Sequence, residues 1–397
     1  MTLTKLEEDF LAALSAGLAG KTAAPEGADY GALFALAEQQ KLLPFVYEAL
    51  HENGTEETAP LFAQAKARVR TQVLGQTLRS AAFRELYGEM CRAGLRPVVV
   101  KGQLCGGLYP REDFRLSGDD DLWLPEEEME SCHRFLTDRG LVTDAPPEER
   151  AARGEITYRD PRGPLYLEIH RRLFEPERGG PDLNGFFAEA LRRPVELRGY
   201  LSMTPGDHLL YLILHAFKHF VARGVGLRQL CDMGLWAAAY RDAVDWAALY
   251  ERCRRVRSQD FAAAAFGVCR TYLGMDLDLP APWDRPVPLE PLCHDALSGG
   301  IYGSADGDRL RASTLTLRAA ASGGKKLPLA TLFPPRSSLV DRFPYLRRRP
   351  WLLPWAWFRR LARYAAEDHK NNSPAGAVKL ARQRVTLLRQ YGVIEQP

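Results

Sequence analysis

The sequence predicts an α+β protein in which a few short strands lie between two helical regions. Apolar side chains recur at helical spacing through residues 5–95 and again from about residue 201. Residues 98–100 are all valine, and such a β-branched run is typical of a buried strand. Residues 165–170 alternate between apolar and polar side chains, which predicts a half-buried strand. A chain of 397 residues has room for two or three domains and a substantial core.

The composition is that of a folded protein, with 46% hydrophobic and 26% charged residues. A formal net charge of +3 argues against a surface that binds nucleic acid throughout, but it leaves room for a local patch. The first residues lack the basic and apolar segments of a signal peptide, and no apolar run approaches the ~18 residues of a membrane span. The seven cysteines include no Cys-x-x-Cys pair, which favours free thiols in a reducing compartment. We therefore expect a cytoplasmic protein without a strong nucleic-acid signal.

Residues 1–95 are expected to form a helical N-terminal region. Leu6, Phe10 and Leu14 share one helical face. A long helix should run from about residue 61 to residue 92, because Gly94 follows it as a C-cap. We expect these helices to be scaffold, although they could also close over one side of the site described next.

Residues 96–200 form the core and carry the motifs of chemical interest. The valine strand leads into Lys101 and Gly102, and a glycine turn that feeds a helix N-terminus offers backbone N–H groups to phosphate. Further along, Asp119 and Asp121 open the next strand and share one of its faces. Two neighbouring carboxylates repel each other unless a cation lies between them, and Mg²⁺ prefers such oxygen ligands. Asp120 points to the opposite face, where burial without a partner would be costly.

Arg115 precedes these aspartates and has two interpretations. Its planar guanidinium could bind a nucleotide phosphate, or it could pair with a nearby acidic residue. After the aspartates, Pro125 should open a helix that runs to about Arg139 and ends at Gly140.

The strand at 165–170 places Tyr166, Glu168 and His170 on one face and apolar side chains on the other. The polar face therefore lines either a functional site or a solvent-facing strand edge. His170 could orient Glu168, contact a substrate or cap the site.

Residues 201–310 should form a helical domain. Thr204 and Asp207 form a capping box for a helix that reaches about residue 222. This helix carries His215 and His219 one turn apart, a spacing that can bind zinc, but Ala216 replaces the glutamate of a metalloprotease helix and no third ligand is evident. On the next helix, Arg228 and Asp232 should form an ion pair one turn apart.

Residues 311–397 should form a basic, tryptophan-rich arm and a terminal helix. Residues 345–360 contain three tryptophans with runs of arginine on either side of them. Such a segment suits a membrane surface, another anionic partner, or packing against the helical domain.

Several motifs together resemble a known family. They are Lys101-Gly102, Tyr109-Pro110, Arg115, Gly118-Asp119-Asp120-Asp121-Leu122, Leu167-Glu168-Ile169-His170 and the segment His215 to His219. This combination is similar to the DNA polymerase beta-like nucleotidyltransferase superfamily, and within it to a bacterial group called "nucleotidyltransferase family protein". The resemblance covers most of the chain. It implies a nucleotidyltransferase core, a small mixed sheet flanked by helices, with helical regions on either side of it in the sequence.

The resemblance also implies an activity: transfer of a nucleoside monophosphate from a nucleoside triphosphate to a hydroxyl acceptor, with release of pyrophosphate. Mg²⁺ (or Mn²⁺) would be bound by three carboxylates, and the third of these would also accept the proton of the attacking hydroxyl. The carboxylates are those of Asp119, Asp121 and Glu168. The nucleotide would contact Lys101, Gly102, Gln103, Arg115 and Gly118, and the substrate side of the site would include His170, His215, Lys218 and His219. The acceptor is not identified by these motifs.

Two positions depart from the family pattern. Gln103 stands where serine is usual, and Asp120 stands where an apolar residue is usual. These departures leave an alternative open, in which the chain is a catalytically inactive protein that binds a nucleotide or a partner on the same fold.

Overall fold

The computed structural model describes residues 2–176, 181–222, 224–299, 352–353 and 383–394. The strands are β1 (Val98–Val100), β2 (Asp120–Trp123), β3 (Glu155–Arg159), β4 (Tyr166–His170), β5 (Val195–Leu197) and β6 (Tyr200–Ser202). The helices are α1 (Lys5–Leu18), α2 (Tyr30–Gln39), α3 (Leu43–Leu50), α4 (Ala59–Arg92), α5 (Gly102–Gly106), α6 (Met129–Asp138), α7 (Pro147–Arg150), α8 (Ala188–Arg192), α9 (Pro205–Ala222), α10 (Leu227–Ala239), α11 (Trp246–Arg255), α12 (Gln259–Leu273) and α13 (Glu290–Gly299). A further helical segment covers residues 383–390.

The central sheet is small and mixed, and its strands lie in the order β1-β2-β4-β3. Strand β2 runs parallel to β4, whereas β1 and β3 are antiparallel to their neighbours. The structure therefore has the predicted α+β class with a small mixed sheet. Strand β3 and the β5–β6 hairpin were not predicted, because both are short and follow charged segments with weak periodicity.

Most helix ends follow the local signals in the sequence. Helix α4 ends two residues before Gly94, which has a φ of +86°, and Gly140 follows α6 with a φ of +91°. Both values lie in the left-handed region that glycine adopts most easily. At the start of α9, the Asp207 N–H donates to Thr204 Oγ1 (3.2 Å), which is one of the two hydrogen bonds of the predicted capping box, and the Thr204 hydroxyl donates to Asp207 Oδ2 (2.8 Å).

The N-terminal helices pack onto the rest of the described chain. Helix α1 contacts both α3 and α12. It approaches α3 so closely that a Cβ on Gly17 would lie 2.2 Å from the carbonyl oxygen of Phe45, so glycine is required there. Near the C-terminus, Arg384 donates to Asp295 on α13 (2.8 Å), and the Tyr391 hydroxyl donates to the Pro288 carbonyl (2.7 Å).

A buried ion pair joins the core to α10. Arg115, which is 4% exposed, donates through Nε and Nη2 to the two carboxylate oxygens of Asp232 at 2.8 and 2.6 Å. The Tyr109 hydroxyl donates to the same carboxylate (2.8 Å). The predicted pairing of Asp232 with Arg228 is therefore not what the structure shows, since Arg228 donates instead to the carbonyl oxygen of Leu116.

Most of the arginine- and tryptophan-rich stretch at 345–360 lies outside the described residues, and only Leu352 and Leu353 belong to them. Its partner therefore stays a prediction. In the part of the chain that is described, no helix has the length and apolar character needed to cross a membrane.

We predict that Asp232→Asn lowers the free energy of unfolding by about 3–5 kcal/mol, because it leaves the buried Arg115 charge without its partner. Denaturant unfolding followed by circular dichroism measures the change. The control is Glu149→Gln, which removes an ion pair to Arg153 in which the side chains are 54% and 44% exposed. That change should cost less than about 1 kcal/mol. Equal losses in the two variants would contradict the structural role assigned to Asp232.

Candidate functional site

The sheet brings three polar side chains together on one face. In the parallel pairing of β2 with β4, Asp121 is opposite Glu168 and Trp123 is opposite His170. Since side chains alternate along a strand, Asp121, Glu168 and His170 all project from the same face. One ligand atom from each of the three lies within 4.8 Å of the others. The structure thus places three of the predicted site residues in one group that could hold a metal ion.

Asp121 is the centre of this group. Its Oδ1 lies 2.9 Å from Lys101 Nζ and 2.9 Å from His170 Nε2. Glu168 Oε2 lies 3.9 Å from the same His170 nitrogen. Burial alone would raise the pKa of Asp121, but the Lys101 ammonium and the His170 ring hold it at about 2. The carboxylate is therefore ionised, and His170 Nε2 must carry the hydrogen that it donates.

Glu168 has the opposite electrostatic environment. Burial and the neighbouring carboxylates of Asp121 and Asp119 raise the pKa of Glu168 to about 8. Ionising Glu168 beside an ionised Asp121 is unfavourable, and a cation bound between them would remove that penalty. The two carboxylates are thus suited to a divalent cation, and His170 contributes by orienting Asp121.

The backbone at Lys101 is held in an unusual conformation. Its φ is +54° and its ψ is −121°, and its N–H donates to His208 Nε2 at 3.1 Å. Burial lowers the pKa of His208 to about 3, so its ring is neutral and Nε2 can accept. The other ring nitrogen lies 3.3 Å from Ser202 Oγ, and that hydroxyl donates to the Val99 carbonyl (3.0 Å).

His208 therefore holds the backbone of the residue whose ammonium contacts Asp121. The sequence analysis assigned it no role. Its position in the first turn of a helix gave no signal of a contact with a residue 107 positions earlier in the chain.

The two departures from the family pattern contact each other. Gln103 Nε2 donates to Asp120 Oδ1 at 2.7 Å, and Asp120 is 1% exposed on the sheet face opposite to the metal-ligand group. Oδ2 of Asp120 has no hydrogen-bond partner among the described residues. Burial raises the pKa of Asp120 to about 7, although the bond from Gln103 lowers it. Gln103 thus supplies the partner that a buried Asp120 needs.

Asp119 and Gly118 lie at the edge of this site. Asp119 is half-buried just before β2 and is not one of the three grouped residues, although its charge helps to raise the pKa of Glu168. Its backbone carbonyl accepts from Ser117 Oγ (2.6 Å). The Gly118 carbonyl accepts from Arg79. Gly102 is the first residue of α5, directly after Lys101.

Arg115 is paired with a carboxylate outside the metal-ligand group. Its guanidinium is bound by Asp232, so of its two interpretations the structure shows the pairing with an acidic residue. Its binding to a nucleotide phosphate stays a prediction.

His215 and His219 of α9 lie next to each other, and His215 is also close to Lys101. Nε2 of His215 and Nε2 of His219 are 3.2 Å apart. Burial and the nearby charge of Lys101 lower the pKa of His215 well below its usual value. His215 and Lys101 also line a cavity of about 20 Å³ together with Leu212, Arg115, Ala216, Arg228, Gln229 and Asp232. This volume holds about one water molecule.

Lys218 lies on a different side of α9. It lines a separate, mainly apolar groove of about 550 Å³ with Phe174, Leu214, Phe217 and Val221 among its walls. Whether His215, Lys218 and His219 contact a substrate stays a prediction.

We predict that Glu168→Gln stabilises the metal-free protein above pH 8. Between its ordinary pKa of 4.5 and about 8, Glu168 is protonated when folded and ionised when unfolded, so the stability of the wild type falls as the pH rises through this window. The variant should lack this loss, which gives a gain on the order of 2 kcal/mol at pH 9 and none near pH 4. Urea unfolding in the presence of a chelator measures it.

The control for this prediction is Glu196→Gln, which removes an exposed carboxylate on β5. It should leave the pH dependence of unfolding unchanged. Adding a divalent cation should stabilise the wild type by mass action and should do so much less in Glu168→Gln. Identical pH curves for the wild type and Glu168→Gln in the chelator would show that the carboxylates do not repel each other as described.

The residues of the candidate site lie inside a segment that matches a known family. Residues 26–274 match the model of a family described as "Uncharacterised nucleotidyltransferase". The matched segment contains β1, β2, β4, α9 and the loops between them, and it spans more than half of the 397 residues. A search of curated proteins found no match to the chain. The chain belongs to this family of uncharacterised nucleotidyltransferases.

Proposed function

We propose that the protein is a metal-dependent nucleotidyltransferase of the DNA polymerase beta-like superfamily. It would move a nucleoside monophosphate from a nucleoside triphosphate to a hydroxyl acceptor and release pyrophosphate. The observation that carries this proposal is the group of Asp121, Glu168 and His170 on adjacent parallel strands, inside the segment that matches the family. Such a reaction requires a bound divalent cation. Clustered carboxylates that repel each other favour the binding of one.

Asp121 and Glu168 would hold Mg²⁺ or Mn²⁺, with Asp119 at the edge of the same site. When bound, the ion would neutralise charge on the phosphates and on the attacking and leaving oxygens. His170 orients Asp121 through its hydrogen bond of 2.9 Å. Such a contact fixes the direction in which a ligand oxygen points.

Glu168 is the residue to which we assign the proton of the attacking hydroxyl. A carboxyl group with a pKa of about 8 is close to the pH at which proton transfer in either direction is efficient. Its side chain is 22% exposed, so an acceptor can reach it from solvent.

Lys101 and the turn that follows it form the expected nucleotide side of the site. The Lys101 ammonium is a compact positive charge 2.9 Å from Asp121 and would offset charge on a phosphate next to that residue. Gly102, Gln103 and Gly118 border this region, whereas His215, Lys218 and His219 would lie on the acceptor side. The site residues identify neither the acceptor nor the base of the nucleotide. An anionic partner for residues 345–360 stays a prediction.

The second candidate is a protein that binds nucleotide without transferring it. Two contacts favour this candidate: Gln103 is bonded to Asp120, and Lys101 is already paired with Asp121. Metal-dependent transfer of a labelled nucleotide to any acceptor would exclude it.

We predict that Asp121→Asn lowers nucleotide transfer about a thousandfold or more, because it removes the ionised ligand at the centre of the site. The assay follows label from α-phosphate-labelled nucleoside triphosphates into acceptors of a cell extract, with Mg²⁺ or Mn²⁺. The control is Asp138→Asn, which changes an exposed carboxylate at the end of α6 and should keep full activity. Circular dichroism should show that both variants fold. Full activity in a folded Asp121→Asn variant would exclude this mechanism.

A further inference from the structure

The loop that leads into β2 is held by side chains from two helices. The Ser117 N–H donates to Gln76 Oε1 on α4 at 2.7 Å. Arg79, also on α4, donates to the Gly118 carbonyl, and Arg228 on α10 donates to the Leu116 carbonyl. These contacts fix the loop directly before Asp119 and Asp121, and they place two guanidinium groups beside it.

A third cation reaches the same loop from the N-terminal helices. Lys41 lies between α2 and α3 with a φ of +52°. Its neighbour Gln40 is buried and fixed at both ends of its amide, since Nε2 donates to the carbonyls of Ala296 (2.9 Å) and Leu297 (3.0 Å) and Oε1 accepts from the Leu227 N–H (3.0 Å). Lys41 Nζ lies 3.4 Å from the position that a Cβ on Gly118 would occupy, so its ammonium is close to the loop.

The positive charges in this place are only partly compensated, through the nearby carboxylates of Asp119, Asp120 and Asp232. Among the described residues, none forms an ion pair with Lys41, Arg79 or Arg228, whereas the charge of Arg115 is taken up by Asp232. Arg228 is 5% exposed, and its Nε has no hydrogen-bond partner in the described part of the chain. Burial lowers the pKa of Lys41, and the charge of Arg228 lowers it further. The carboxylate of Asp119 raises this pKa and so offsets the decrease only in part. Three cations held together at a partly buried place are unfavourable unless an anion joins them.

We infer that Lys41, Arg79 and Arg228 bind the β- and γ-phosphates of the nucleoside triphosphate, on the Gly118 side of the metal-ligand group. This inference rests on the proposed function. It adds Lys41, from the N-terminal helical region, to the nucleotide-binding site. Guanidinium forks match phosphate oxygens in pairs, and a lysine ammonium adds a compact charge. Because Asp119 and Asp121 follow Gly118 in the chain, a polyphosphate at this place lies next to the expected position of the α-phosphate.

In this assignment, the three cations interact with the pyrophosphate leaving group. In the proposed transfer, the acceptor oxygen forms a bond to the α-phosphorus and its proton passes to Glu168. The bond from the α-phosphorus to the bridging oxygen breaks, and its electron pair stays on the pyrophosphate. Lys41, Arg79 and Arg228 would stabilise the negative charge that develops there.

The test compares phosphate binding in the full chain with that in Lys41→Gln, a change that removes the charge and keeps a polar side chain that is one atom shorter. Calorimetry measures the binding of inorganic tripolyphosphate and of the four nucleoside triphosphates and monophosphates, with Mg²⁺. Lys66→Gln, which alters an exposed lysine on α4, is the control. We expect Lys41→Gln to weaken tripolyphosphate and triphosphate binding about tenfold, to change monophosphate binding less than about twofold, and to fold normally. Lys66→Gln should match the wild type.

The outcomes separate this inference from the proposed function. Lys41-dependent binding of tripolyphosphate without any nucleotide transfer would support the site and count against the transferase. Transfer by the wild type with the same KM for the triphosphate in Lys41→Gln would support the transferase and overturn the site. Equal weakening of monophosphate and triphosphate binding, or no binding of tripolyphosphate by the wild type, would also overturn it.

Discussion

The candidate site depends on the repulsion between two carboxylates that the parallel pairing of β2 and β4 brings into register. Ionising both Asp121 and Glu168 in a partly buried place is unfavourable. The pKa of Asp121 therefore lies at about 2 and that of Glu168 at about 8. The rest of the site follows from this constraint. Lys101 and His170 compensate the ionised Asp121, and Glu168 keeps its proton until a cation joins the group. The protein thus retains a locally unfavourable charge arrangement at the place where a metal-dependent reaction needs one.

The cations around the site differ in what they can do. Arg115 is bound at both oxygens of Asp232, and so it joins the core to α10. Lys101 contacts Asp121 through its ammonium, and His208 holds its backbone. By contrast, Lys41 and Arg228 have no ion pair among the described residues. In the proposed phosphate site these two cations bind the ligand, whereas Arg115 has a structural role.

Sequence reasoning found what local patterns encode. Alternation was enough to place Glu168 and His170 on one face of β4, and the family resemblance was needed to join Glu168 to the aspartates of β2. Capping residues were enough to find the start of α9. Contacts between distant parts of the chain could not be predicted from local patterns. Examples are the contact of Arg115 with Asp232, 117 residues apart, and that of Lys101 with His208. Gln103 and Asp120 appeared as separate departures from a family pattern, and only their distance of 2.7 Å shows that one compensates the other.

The most direct measurement of the central claim is anomalous diffraction from crystals grown with Mn²⁺ and a non-hydrolysable nucleoside triphosphate. We expect a manganese peak within coordination distance of Asp121 and Glu168, with the Lys101 ammonium moved from Asp121 toward a phosphate. A nucleotide bound elsewhere, or no manganese while Lys101 stays on Asp121, would contradict the assignment of this group as the metal site.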